Sequence, residues 1–162
     1  MEFRTMRRSA QALSRELCAD ILSRSSTGVL AVAGDGGYPY AVPLNYVYAG
    51  GKLYIHCAPE GHKLDAVRRE EKVCFTVVAE DAVLEERYTT RYRSVIVFGR
   101  AAVVEDEGER TRALTALADK YAPSRPEAER RSKAEGCTGA LVIAVTVDHI
   151  AGKQGKAFLT EA

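Results

Sequence analysis

The stretch HCAPEGHKLDAVRRE, residues 56–70, places two histidines, a cysteine and a lysine within positions 56–63. Such side chains can ligate a metal, move a proton or hold an anion. A metal needs several of them converging on one point. His56 and Cys57 are neighbours in what reads as a strand, so they point to opposite faces, and neither forms a convincing ligand pair with His62. No metal site is expected. An anion fits better. Gly61 allows a sharp turn, and His62 and Lys63 then open a helix whose unpaired N–H groups attract negative charge. Glu60 and Asp65 weaken that field. Taken alone, the segment reads as a hairpin end followed by a solvated basic helix carrying Lys63, Arg68 and Arg69.

The elements that must carry these residues follow from periodicity. Leu13, Leu17, Ile21 and Leu22 mark one face of a first helix, with Ser14 as its N-cap. TGVLAVA (27–33) reads as a buried strand, and GDGG (34–37) as a turn, since no lysine and helix follow to make it a phosphate loop. A long strand, YPYAVPLNYVY (38–48), pairs with KLYIHCA (52–58) across a two-residue Gly50-Gly51 loop. In that register Tyr48 faces Leu53, Tyr46 faces Ile55 and Leu44 faces Cys57 on an apolar side. Val47 meets Tyr54 and Asn45 meets His56 on the other. Pro39 and Pro43 cannot donate ladder hydrogen bonds, which puts the first part of this strand at an edge or bend.

Residues 61–71 form a short helix with Leu64 and Val67 inward, and 72–80 a strand. DAVLEERYTTRY (81–92) reads as a loop or lid. A long strand at 93–104, a helix at 107–121, a charged and mobile connection at 122–137, helical in part, and a last strand at 139–150 complete the chain. Six strands with few helices and hairpin-length links point to a mainly β (α+β) chain, a six-stranded antiparallel barrel with peripheral helices. The last two strands are apolar on both faces, and the helices are too few to cover the outside, so a homodimer is expected.

Bulk properties narrow the function. A chain of 162 residues with net charge +1 suggests a single domain over 1–162, with 1–10 as an N-terminal arm. It has no general attraction to nucleic acid or anionic membrane. No run approaches the ~18–20 apolar residues of a membrane helix. MEFRTMRRSAQ lacks a following apolar stretch, so no secretory leader is visible. Cys18, Cys57, Cys74 and Cys137 are scattered with no C-x-x-C pair, which suits free thiols in a reducing cytoplasm. ERYTTRYRS (86–94) mixes aromatics with arginine but reads as a lid or interface segment on a neutral chain.

Together GYPYAVPLNYVY, LYIHCAPEGHKLDAVRREEKVCF, RSVIVFGRA and DHIAGK resemble the flavin-nucleotide-binding family related to pyridoxamine 5′-phosphate oxidase, and within it the nitroimidazole-resistance group. The resemblance runs from about Met6 to Lys153. It implies a split β-barrel, a homodimer, and FMN bound at the subunit interface. Carried over residue by residue, it lines the flavin with Val42, Pro43, Leu44 and Asn45, adds His56 and Cys57 from the next strand, places the phosphate on His62 and Lys63, and adds contacts from Arg93 and Ser94. The oxidases more often have arginine at the position of His62. The chain has no tryptophan and no counterpart to the basic C-terminal segment of the oxidases, so oxidation of pyridoxamine phosphate itself fits less well. The implied activity is electron transfer from NAD(P)H or another donor to a small acceptor, such as a nitroaromatic, with His56 as a candidate for proton transfer. A deazaflavin-dependent reductase and a non-catalytic flavin- or haem-binding module remain alternatives.

Overall fold

A computed structural model describes residues 2–159. Helix α1 (Arg15–Arg24) begins where expected: the Ser14 hydroxyl accepts the Leu17 N–H at 3.2 Å. It buries Cys18, Ile21 and Leu22. Strand β1 (Thr27–Ala33) leads through a tight turn at Asp35–Gly37 to β2 (Pro39–Asn45), β3 (Val47–Ala49) and β4 (Lys52–Cys57). Then come α2 (His62–Arg69), β5 (Lys72–Leu84), β6 (Thr89–Val103), α3 (Glu107–Tyr121), α4 (Glu127–Glu135) and β7 (Leu141–Gln154).

The strands form one antiparallel sheet in the order β2-β1-β5-β6-β7-β4-β3. Six expected strands become seven because the stretch 38–48 divides at Tyr46. The two edges of the sheet are therefore the halves of one piece of chain, β2 bound to β1 and β3 bound to β4. This is a split barrel. The glycine hairpin holds its register: Tyr48 opposes Leu53 and Val47 opposes Tyr54, with positive φ at Gly50 and Gly51.

The interior is filled by Leu30, Tyr46, Leu53, Ile55, Phe75, Val77, Val95, Val97, Ile143 and Val145, all fully buried. Phe75 lies at its middle. A side chain at Gly28 would come within 2.3 Å of the Phe75 ring, so glycine there makes room for it. Outside the barrel, α3 and α4 cover Val47, Val142 and Ala144 with Leu114, Leu117 and Ala134.

One expectation is corrected. Residues 81–92 are not a loop but a hairpin: β5 and β6 stay paired out to Leu84↔Thr89, and Tyr88 turns the chain at φ 46. Thr89, Thr90 and Tyr92 on the return strand favour extended backbone, and an Arg91–Glu80 ion pair at 2.5 Å spans the two strands. The 122–137 connection is helical in part, as expected: it contains α4, tied back by Arg130 to Asp119 at 2.5 Å and by Arg110, whose guanidinium donates to the carbonyls of Cys137 and Ala140.

Candidate functional site

β4 ends at Cys57, and Gly61, at φ 127 and ψ 162, turns the chain into α2 with no side chain capping it. Only glycine takes such a conformation readily. Leu64 and Val67 anchor the helix in the core, leaving its N-terminal turn at the surface. Lys63 is half-buried and makes no hydrogen bond or ion pair with a described residue. Burial pushes the Cys57 thiol up, while the nearby charges of Lys63 and Arg68 pull it part of the way back, so Cys57 stays a thiol near neutrality.

His62 does not share the outlook of Lys63. Its ring stacks on Tyr40 at 4.1 Å, and its Nε2 lies 3.5 Å from Asp35 Oδ2. Asp35 also holds Arg69 at 3.2 Å, and Arg69 donates to the Ala33 carbonyl at 2.9 Å. The GDGG turn is thus latched onto α2. The expected basic pair divides: Lys63 is uncommitted, and His62 is engaged.

The stretch before the hairpin behaves as its prolines suggested. β2 pairs along one edge with β1, from Ala33↔Pro39 to Thr27↔Asn45, and its other edge carries no ladder. The expected Asn45–His56 and Leu44–Cys57 pairs do not form, because the β3–β4 ladder ends at Val47↔Tyr54 and Leu44 and Asn45 pair with Gly28 and Thr27 of β1 instead. Tyr46 explains the break. It is fully buried, its hydroxyl donates to the Leu22 carbonyl at 2.7 Å, and its ring packs edge-on to Phe75 at 4.7 Å. A seam with unpaired backbone groups therefore separates Val42–Asn45 from His56 and Cys57. Val42 and Leu44 are half-buried toward the core, whereas Pro43 and Asn45 are exposed. The Asn45 amide donates to the Ser26 carbonyl at 3.0 Å, leaving Oδ1 without a described donor.

His56 is exposed and Cys57 buried, on opposite faces of β4. On the face of His56, Lys52 and Tyr54 both donate to Glu109 Oε1 at 2.8 Å, pinning α3 to the strand. Those bonds, from Lys52 first and Tyr54 second, hold the Glu109 carboxyl below its usual value. Its stabilising share is present above the ordinary carboxylate value and fades as pH falls through the lower folded-state value. Glu109→Gln is expected to lower Tm by about 1–3 °C at pH 7, a gap that closes in acid when melting is repeated down the pH scale.

Arg93 and Ser94 lie elsewhere. The Arg93 guanidinium sits 3.8 Å over the Phe158 ring and donates to Gln154 Oε1 at 3.2 Å. Helix α2 runs into β5 beside the other end of β6, where the Ala101 N–H donates to the Glu71 carbonyl at 2.7 Å. Residues 93 and 101 are separated by ~26 Å of strand. One chain does not bring Arg93 to Lys63.

The pairings also align the outer sheet face. Pro43, Val29, Thr76, Ile96 and Ala151 form one row, and Ala41, Ala31, Cys74, Phe98 and His149 the next. Val29 is 37% exposed, Ile96 37%, Phe98 39% and Val78 63%. Neither α3 nor α4 packs against these residues. Phe3 from the N-terminal arm touches this face, stacking on His149 at 4.5 Å and Phe98 at 5.5 Å beside a cleft of about 350 Å³.

The Tyr46 break, the Asp35 latch and the Arg93–Phe158 stack had no local signal. Each depends on a partner far along the chain.

Comparison with known proteins agrees with this architecture. An uncharacterized protein of Rhizobium meliloti (strain 1021) is 31% identical over 90 residues, 56% of this chain and 54% of that protein. The chain thus matches about half the length of this curated relative. A candidate 5-nitroimidazole antibiotic resistance protein of Bacteroides thetaiotaomicron superposes with a TM-score of 0.73 at 24% identity, over 88% of this chain and 86% of that one. The FAD and haem binding protein of Mycobacterium smegmatis gives 0.71 at 26% identity, over 90% and 73%. The family model described as pyridoxamine 5′-phosphate oxidase matches residues 14–154, and the chain belongs to that family.

Proposed function

We propose that the chain binds FMN between two copies of itself and passes electrons from NAD(P)H, or another donor, to a small acceptor such as a nitroaromatic. The observation that carries this reading is Lys63: an uncommitted cation at a helix N-terminus, beside a seam whose strand edges lack partners. A phosphate with between one and two negative charges suits that position. Pro43 and the exposed Val29 offer an apolar wall, and Asn45 Oδ1 an acceptor for a ring N–H. When bound, the flavin supplies the electron chemistry. The chain's own residues hold the phosphate, flank the ring and exclude water. His56 is exposed and near the seam edge of β4, where it is placed to exchange protons with solvent.

The second copy follows from the uncovered face. Val29, Val78, Ile96 and Phe98 would be buried by a partner, and a partner is also the way Arg93 and Ser94 can approach a ligand held at Lys63. Ile96→Glu is expected to convert a dimer to a monomer in sedimentation or light scattering and to abolish FMN uptake. A variant that stays dimeric would place the interface elsewhere.

The whole reading is tested with purified protein. Added FMN should remain bound through gel filtration, with its visible bands bleached by NADH and restored by a nitroaromatic. Uptake without turnover favours a carrier. A Soret band on adding haemin favours a haem module, a second reading prompted by the FAD and haem binding protein of Mycobacterium smegmatis.

A further inference from the structure

The β1–β2 ladder stops one pair early. Its last pair is Thr27↔Asn45, and the same register would next join Ser26 to Tyr46. That place is taken by the hydroxyl of Tyr121, the last residue of α3. The oxygen lies 2.5 Å from the Ser26 carbonyl, 3.0 Å from the Tyr46 nitrogen and 2.8 Å from the Tyr46 carbonyl. A hydroxyl has one proton and two lone pairs. It accepts the Tyr46 N–H and donates to either carbonyl. The Ser26 carbonyl also receives the Asn45 amide at 3.0 Å, so Tyr121 and Asn45 meet at one acceptor. Lys120 presses the same corner: its ammonium is shielded from solvent without a hydrogen-bond partner among the described residues, 4.1 Å over the Tyr46 ring.

We propose that Tyr121 is a positioning residue of the ligand site: its hydroxyl ends the β1–β2 ladder at the point where the strand passes from β1 to β4 and, through Ser26, fixes the Asn45 amide so that Oδ1 remains the acceptor offered to a ring N–H. This rests on the flavin reading above. A plain Ser26–Tyr46 pair would continue the ladder, whereas a hydroxyl wedged from another helix replaces it with one adjustable point. The wedge joins the C-terminal end of α3 to Asn45, whose Oδ1 has no donor among the described residues.

The test is Tyr121→Phe in the full chain, with Leu117→Ala as the comparison. Leu117 loosens the same helix from the same sheet without touching Ser26 or Tyr46. Tyr121→Phe is expected to keep the dimer, to weaken FMN binding by about tenfold, to shift the visible circular dichroism of bound FMN, and to speed hydrogen exchange at the Tyr46 amide. Leu117→Ala should lower Tm at least as much yet bind FMN like the wild type. Equal FMN affinity in Tyr121→Phe and wild type overturns the proposal. So does an equal loss in Leu117→Ala, which would make the contact merely structural. Wild-type protein that takes up no FMN overturns the flavin reading and this role with it. In that case the Tyr46 exchange rate still decides whether the hydroxyl ends the ladder.

Discussion

Lys63→Glu is expected to weaken FMN binding by about 100-fold or more, with little change in the melting of the protein without ligand. A charge-assisted hydrogen bond contributes ~1.5–3 kcal/mol, and each ~1.4 kcal/mol is tenfold in affinity. Removing the ammonium therefore costs about 10- to 100-fold, and a carboxylate facing the phosphate adds repulsion. Glu60 and Asp65 already stand nearby in the chain, so the reversal would add a third carboxylate to this turn. His62 cannot substitute while Tyr40 and Asp35 hold it. The fold should tolerate the change, because Lys63 has no ion pair among the described residues and the helix is anchored by Leu64 and Val67. Fluorescence titration of FMN gives the affinity, and Lys63→Gln should fall between wild type and Glu. Retained affinity in Lys63→Glu would put the phosphate elsewhere.

Phe75→Ala should be the most damaging single core truncation, by about 3–5 kcal/mol. The ring is fully buried, meets Tyr46 edge-on at 4.7 Å, and lies over Gly28. Glycine has no side chain to move into the space, and Tyr46 is tethered through its hydroxyl to Leu22, so the cavity cannot easily collapse. At constant protein concentration this corresponds to a drop in Tm of roughly 10–15 °C. Phe75→Leu, which keeps much of the volume, should lose far less. A small effect of the alanine variant would mean that the barrel interior repacks.

How much of this was legible in the sequence depended on the reach of each interaction. The Ser14 cap, the Gly50-Gly51 register and the bounds of α3 at Glu107–Tyr121 were readable because their determinants lie within a few residues. The edge position of Pro39 and Pro43 followed from their missing N–H groups. The hairpin at 81–92 was missed because its turn uses Tyr88 at positive φ, where glycine or asparagine would have signalled it. The division at Tyr46 was missed because alternation alone favours an unbroken strand. What breaks it is a hydroxyl bond to Leu22 and the insertion of Tyr121, separated from Tyr46 by 24 and 75 residues. For the site, the helix terminus at Lys63 was local and readable. The commitment of His62 to Asp35 was not, since a turn and a helix from different parts of the chain had to meet.

The position of β7 between β6 and β4 has a consequence for how the molecule is made. Lys52 to Cys57 wait for Leu141 to Thr146 as their ladder partners, so one side of β4 stays bare while some ninety residues are still to emerge from the ribosome. Nascent chains stalled before that last strand would expose a sticky ribbon, and chaperone capture would be at its greatest then. Completion of the barrel is a late, long-range event, which places this chain among slow folders rather than fast ones.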